Sequence, residues 1–152
     1  MSIEYLNNTS LYQKTIKRPI SFSGISLHKG LNSEVTIKPN NEYSGIIFKR
    51  IDFNDNNLIK ANYNNVIDTN LCTVIANKNG LKVRTIEHLM AALSIYEVDN
   101  AIIEINCEEL PALDQSRTNS RSGARAFFVE YVLLGRVQLV PVALRARPLG
   151  RE

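Results

Sequence analysis

The sequence predicts an α+β fold, an antiparallel sheet layered with helices, and three observations carry that expectation. Between Thr15 and Arg84, short segments alternate apolar and polar residues, as half-buried strands do. From Ile86 the spacing lengthens to a helical period, with Ile86, Leu89, Met90 and Leu93 recurring on one face. From Val98 to Asn106 the alternation returns around Ile103 and Ile105. Strands, one helix and strands again describe a sheet with helical cover, not a doubly wound α/β fold.

Taken in order, Thr15 to Phe22 reads as a strand and Ser23 to Gly30, with two glycines, as a turn. Ser33 to Pro39 sets Val35 and Ile37 against Glu34, Thr36 and Lys38, which marks a half-buried strand. Gly45 to Arg50 is a short apolar strand, Asp52 to Asn57 a polar turn, and Ala61 to Val66 a further strand. Leu71 to Asn77 and Leu81 to Arg84 flank Lys78-Asn79-Gly80, whose Asn-Gly pair signals a hairpin. Thr85 is placed to cap the helix, its hydroxyl accepting from an orphan N–H of the first turn, and the helix should end near Tyr96. Glu108 to Asp114 reads as a loop anchored by Pro111.

Composition divides the chain. Its 152 residues suffice for one domain with a core, and 44% apolar against 22% charged residues is ordinary for a globular protein. Residues 1–114 carry 11 Lys and Arg against 13 Asp and Glu; residues 115–152 carry 7 Arg against 2 Glu. Beyond residue 116 there is no Ile, Lys, His or Asp. We therefore expect a domain over 1–114 and an Arg-rich tail of different composition over 115–152. The shift reads as a junction, through a frameshift, a fusion or a degraded frame, with a natural basic extension as the alternative. Gln115 to Ala126 reads as a linker, residues 127–134 as a single helix, and Pro141 and Pro148 discourage regular structure beyond it. Because the basic charge belongs to the tail, and lacks interleaved aromatic residues, nucleic-acid binding is not expected.

No apolar h-region opens the chain, so no signal peptide is expected. The most apolar stretch, Ala126 to Leu144, is interrupted by Glu130, Arg136, Gln138 and Pro141, so no transmembrane segment is expected either. Cys72 and Cys107 are too few for a disulfide framework. A cytoplasmic, reduced protein is the expectation.

Chemistry enters at Thr85-Ile86-Glu87-His88-Leu89, where a carboxylate and an imidazole stand side by side at a helix start. Neutral imidazole is a common zinc ligand, and a carboxylate that is not itself a ligand can take a proton from metal-bound water. The dipeptide alone is equally what a solvated first turn looks like, with Glu87 favoured by the helix dipole.

The surroundings are more specific. Gly24-Ile25-Ser26-Leu27-His28-Lys29-Gly30, Gly45-Ile46-Ile47-Phe48-Lys49-Arg50, Thr69-Asn70-Leu71-Cys72-Thr73, Thr85 to Leu93, Val98 to Asn106 and Leu110-Pro111-Ala112-Leu113-Asp114 follow in that order. The succession, over roughly residues 12–114, resembles the N-terminal domain of the UDP-3-O-acyl-N-acetylglucosamine deacetylases. The resemblance implies one of two similar α+β domains and a zinc-dependent hydrolysis of an acetamide on a UDP-linked, acylated glucosamine, in lipid A synthesis. It implies Glu87 as general base and His88 as one of three zinc ligands. It also implies Leu71, Cys72 and Thr73 near the metal and acyl passage, His28 near the site, and Asp114 as an acidic loop residue. For Cys72 a buried apolar role competes with contact to metal or substrate, and for His28 a structural hydrogen bond competes with a chemical role. Ser26 and Gln115 stand where the family usually has glycine.

The same resemblance implies a second domain that brings two more zinc ligands, a proton-donating histidine, an oxyanion-stabilising threonine and a substrate-binding lysine. The tail, without His or Asp, offers no replacement ligands. The expectation is therefore a truncated chain that is inactive alone, with an exposed inter-domain face prone to association. The competing reading is a non-catalytic fragment, at most a module that binds a UDP-sugar or a partner.

Overall fold

The computed structural model describes residues 12–111 and 138–144. Among these, strands β1 (Tyr12–Ile16), β2 (Ile20–Ile25), β3 (Asn32–Pro39), β4 (Ile46–Arg50), β5 (Leu58–Lys60), β6 (Val66–Asp68), β7 (Val74–Ala76) and β8 (Lys82–Arg84) precede one helix, α1 (Glu87–Ile95). Strands β9 (Ala101–Ile105) and β10 (Leu139–Leu144) follow it. The main sheet has the order β2-β3-β9-β4-β5; β6-β7-β8 form a second sheet, and β1 pairs with β10. The α+β class expected from the alternation is the one observed.

One row of side chains explains why the main sheet holds. Ile20, Ile37, Ile103, Phe48 and Ile59 are successive cross-strand partners from β2 to β5. The last four are at most 1% exposed. Leu89, Ala92 and Leu93 of α1 enter the same apolar cluster. Fully burying each large apolar side chain contributes about 1.5–3 kcal/mol, so this row and the helix stripe carry much of the fold. One pair departs from an all-antiparallel sheet: β4 and β9 run parallel, Ile46 beside Ala101 through Arg50 beside Ile105. Parallel neighbours need a long crossover, and here it contains β5 to β8 and α1.

Several local expectations are corrected. The run from Thr15 to Phe22 is two strands, separated at Lys17-Arg18-Pro19 and assigned to different sheets. Proline fixes φ and gives no ladder N–H, which breaks the run there. Ala61 to Val66 is not a strand. Tyr63–Asn65 forms a 3-10 turn, with the Asn62 side chain accepting from the Asn65 amide at 3.1 Å and the Asn65 side chain donating to the Lys60 carbonyl at 2.7 Å. The strand lies just before it, where Ile59 pairs with Phe48. At the Asn-Gly signal, β7 and β8 do form a hairpin, with Gly80 at φ 78° and the Asn77 side chain accepting from the amides of Asn79 and Leu81.

Pro141 does not prevent regular structure. It lies within β10 opposite Lys14, where the pairing with β1 slips its register between Gln13 and Lys14. A proline is tolerated at such an irregularity because no regular ladder bond is required of its nitrogen. The helix expected at 127–134, the linker expected at 115–126 and Asp114 lie outside the described residues. Among the described residues no helix is long and apolar enough to cross a membrane.

Candidate functional site

The second sheet leads directly into α1. Segment 69–73 joins β6 to β7, and β8 ends one residue before Thr85. Glu87 is the first residue of α1 and is half-buried; His88 follows and is exposed. Successive helical residues point about 100° apart, so the pair spreads across the rim of the helix start instead of stacking. The Thr73 amide donates to Glu87 Oε2 at 3.0 Å. The structure thus joins Thr73 to Glu87. Beside Thr73, Cys72 is buried and Leu71 is 81% exposed, so adjacent residues of one short segment face the core and the solvent.

Thr85 does not cap the helix. Ile86 occupies the cap position with no side-chain bond to the first turn. Thr85 itself sits at φ 60°, a region that costs a β-branched residue strain. Its hydroxyl points elsewhere, donating to Glu109 Oε1 at 3.1 Å.

Glu109 is the residue that sequence reasoning missed. Its side chain is 0% exposed, and it accepts from the His28 amide at 3.0 Å and the Lys29 amide at 3.0 Å, in addition to Thr85. His28 Nδ1 lies 2.6 Å from Oε1 of the same carboxylate. Burial pushes the Glu109 carboxyl up, but the bonds from the His28 amide, the His28 ring, the Lys29 amide and the Thr85 hydroxyl together outweigh it and hold the pKa below the ordinary carboxylate value. Glu108 is lowered as well: burial opposes, while a hydrogen bond from Lys29 and the charges of Lys29, Arg84 and Arg50 prevail.

His28 is therefore tied to the site through Glu109 and Thr85, and among the described bonds it makes no direct contact with Glu87 or His88. Its turn is braced further. The Ser26 hydroxyl accepts from the Leu31 amide at 2.9 Å, Gly30 adopts φ 62°, and Ser26 bridges to Pro111. Serine at 26, where glycine was the expectation, thus gives the turn an added bond. The only sequence signal for Glu109 was its place in Glu108-Glu109-Leu110-Pro111, two carboxylates that read as solvated loop.

Zinc fits these residues incompletely. A catalytic zinc takes three protein ligands and a water. Among the described residues, no three of His, Cys, Asp and Glu come together to hold a metal ion.

The structure is an α+β layer with a half-buried carboxylate and an exposed imidazole at the start of its helix. Residues 13–121 match the family described as LpxC: UDP-3-O-acyl N-acetylglycosamine deacetylase. The chain belongs to that family. It is 44% identical over 114 residues to the UDP-3-O-acyl-N-acetylglucosamine deacetylase of Geotalea uraniireducens, covering 75% of this chain and 37% of that protein. It is 39% identical over 104 residues to the protein of that name in Hamiltonella defensa, and 42% identical over 104 residues to the one in Wigglesworthia glossinidia brevipalpis. Those two alignments each cover 68% of this chain, and 34% and 35% of the relatives. The chain thus spans about a third of the length of the curated relatives it matches.

Proposed function

We propose that this chain carries the Glu87 and His88 contribution to hydrolysis of the N-acetyl group of UDP-linked, 3-O-acylated N-acetylglucosamine, and that it does not turn over alone. The observation that carries the reading is the accessible His88 imidazole beside a carboxylate that the Thr73 amide already engages at 3.0 Å. That bond leaves the Glu87 carboxylate with lone pairs free to accept a proton. His88 offers one of the ligands that zinc would need. Leu71, Cys72, Thr73 and His28 are assigned to the substrate side of the same region, with a cytoplasmic site of action. The family resemblance assigns the remaining ligands to a second domain, so no zinc-dependent step is assigned to this chain by itself.

Zinc titration of the purified chain, with and without His88→Ala, tests the reading together with a deacetylase assay. Weak zinc binding that His88→Ala lowers further, with no turnover, is the expected result. Turnover by the chain alone, or zinc affinity indifferent to His88→Ala, overturns it. The incomplete ligand set favours one second reading, a non-catalytic module that binds a UDP-sugar or a partner. Saturable UDP-N-acetylglucosamine binding unaffected by Glu87→Gln and His88→Ala would favour that module.

A further inference from the structure

We infer that Glu109 is a positioning residue, a buried clamp that holds Thr85 in its left-handed conformation and thereby aims Glu87 and His88. The inference rests on the reading of that pair as the reactive one. A β-branched residue at φ 60° is strained, and such a conformation persists only where the surroundings over-determine it. Two sets of contacts do so. The backbone just before Thr85 is pinned through Arg84, whose amide donates to the Glu108 carbonyl at 2.9 Å and whose carbonyl accepts from the Leu110 amide at 3.2 Å. The Thr85 hydroxyl is held by Glu109 at 3.1 Å.

Glu109 is in turn immobilised by a distant part of the chain. The amides of His28 and Lys29 grip both of its oxygens, and the His28 ring meets one of them. Hydrogen bonds to a buried charge are among the stronger in proteins. One carboxylate therefore joins the turn after β2 to the residue that turns β8 into α1. Because Ile86 provides no side-chain cap, the direction of the first helical turn depends on the Thr85 kink. Its effect is read where Glu87 meets the Thr73 amide.

Amide hydrogen exchange on the full chain tests this, with Glu87→Ala establishing that Thr73 protection reports the Glu87 bond. Glu109→Gln should speed exchange at Thr73, His28 and Lys29 by about tenfold or more relative to Ile103 in the main sheet, since it disrupts bonds to a buried charge. Glycine adopts positive φ without that strain. Adding Thr85→Gly to Glu109→Gln should therefore restore protection at Thr73 while His28 and Lys29 stay fast. Thr73 unchanged in Glu109→Gln, or still fast after Thr85→Gly, overturns the inference and leaves Glu109 as an anchor of the turn alone. If Glu109→Gln does not fold, the double variant decides: a folded chain with Thr73 protected supports the clamp, and an unfolded one overturns it. None of these readouts involves zinc or turnover, so failure of the clamp and failure of the deacetylase reading are separable.

Discussion

The Thr73 amide and the Glu87 carboxylate, fourteen positions apart, meet at 3.0 Å across the gap between the segment before β7 and the first turn of α1. This bond satisfies one partly buried N–H and fixes a carboxylate at a helix N-terminus, where the dipole favours its negative charge. Glu87→Ala should lower unfolding stability by about 1–2 kcal/mol, and Glu87→Gln, which keeps an acceptor oxygen, by less. Urea unfolding at neutral pH measures both; equal losses in the two variants would contradict the bond as described.

Acid should weaken the fold through Glu109. Its folded pKa lies below the ordinary carboxylate value, so its stabilising contribution is fully present above that value. The contribution declines as pH falls through the lowered folded value, because protonation then removes the charge that strengthens the bonds from the His28 and Lys29 amides. Urea midpoints measured across the acid range should fall less steeply in Glu109→Gln than in the unsubstituted chain. Parallel curves would show that the carboxylate is not held ionised by the fold.

Ile103 stands at the crossing of the β3, β9 and β4 registers and is 0% exposed. Ile103→Ala should cost about 2–5 kcal/mol, from lost apolar burial and the cavity left behind. Ile95, at the end of α1, is 66% exposed, and Ile95→Ala should remain within about 0.5 kcal/mol. Chemical denaturation compares them, and similar losses would refute the core assigned here.

Removing residues 138–152 takes β10 from β1 and leaves Tyr12–Ile16 with an open edge. Unpaired edges recruit other strands, so the shortened chain should self-associate as concentration rises. Light scattering coupled to size exclusion follows this directly. A shortened chain that melts at the same temperature and stays the same size would show β10 to be dispensable.

The parts of the fold legible in the sequence are those with a sustained period. Asn32–Pro39 and Ala101–Ile105 alternate cleanly, and α1 shows its apolar face, because each buries one side against the same core. Strand β5 was not legible, since three residues carry no period and their state is decided by Ile59 meeting Phe48. Nor was the Thr85 conformation, which arises from contacts to Glu108, Glu109 and Leu110 more than twenty positions away. A buried carboxylate such as Glu109 resembles any solvated acid until its donors are placed around it. Of the candidate site, the Glu87–His88 pair was visible as adjacent letters, but it gained meaning only from the ordered blocks around it. The link from His28 to Thr85 appeared only in three dimensions.

The parallel seating of β4 against β9 bears on how this region can change. Everything from the end of β4 to the start of β9, including Leu71 to Thr73 and Glu87-His88, is a single excursion that leaves at Arg50 and returns at Ala101, at opposite ends of two strands seated side by side in the sheet. Closing such an excursion depends only weakly on its length. Lengthening or shortening its exposed bends should thus leave the Phe48–Ile103 seam intact, and variation can accumulate around Glu87-His88 while the scaffold beneath keeps its alignment.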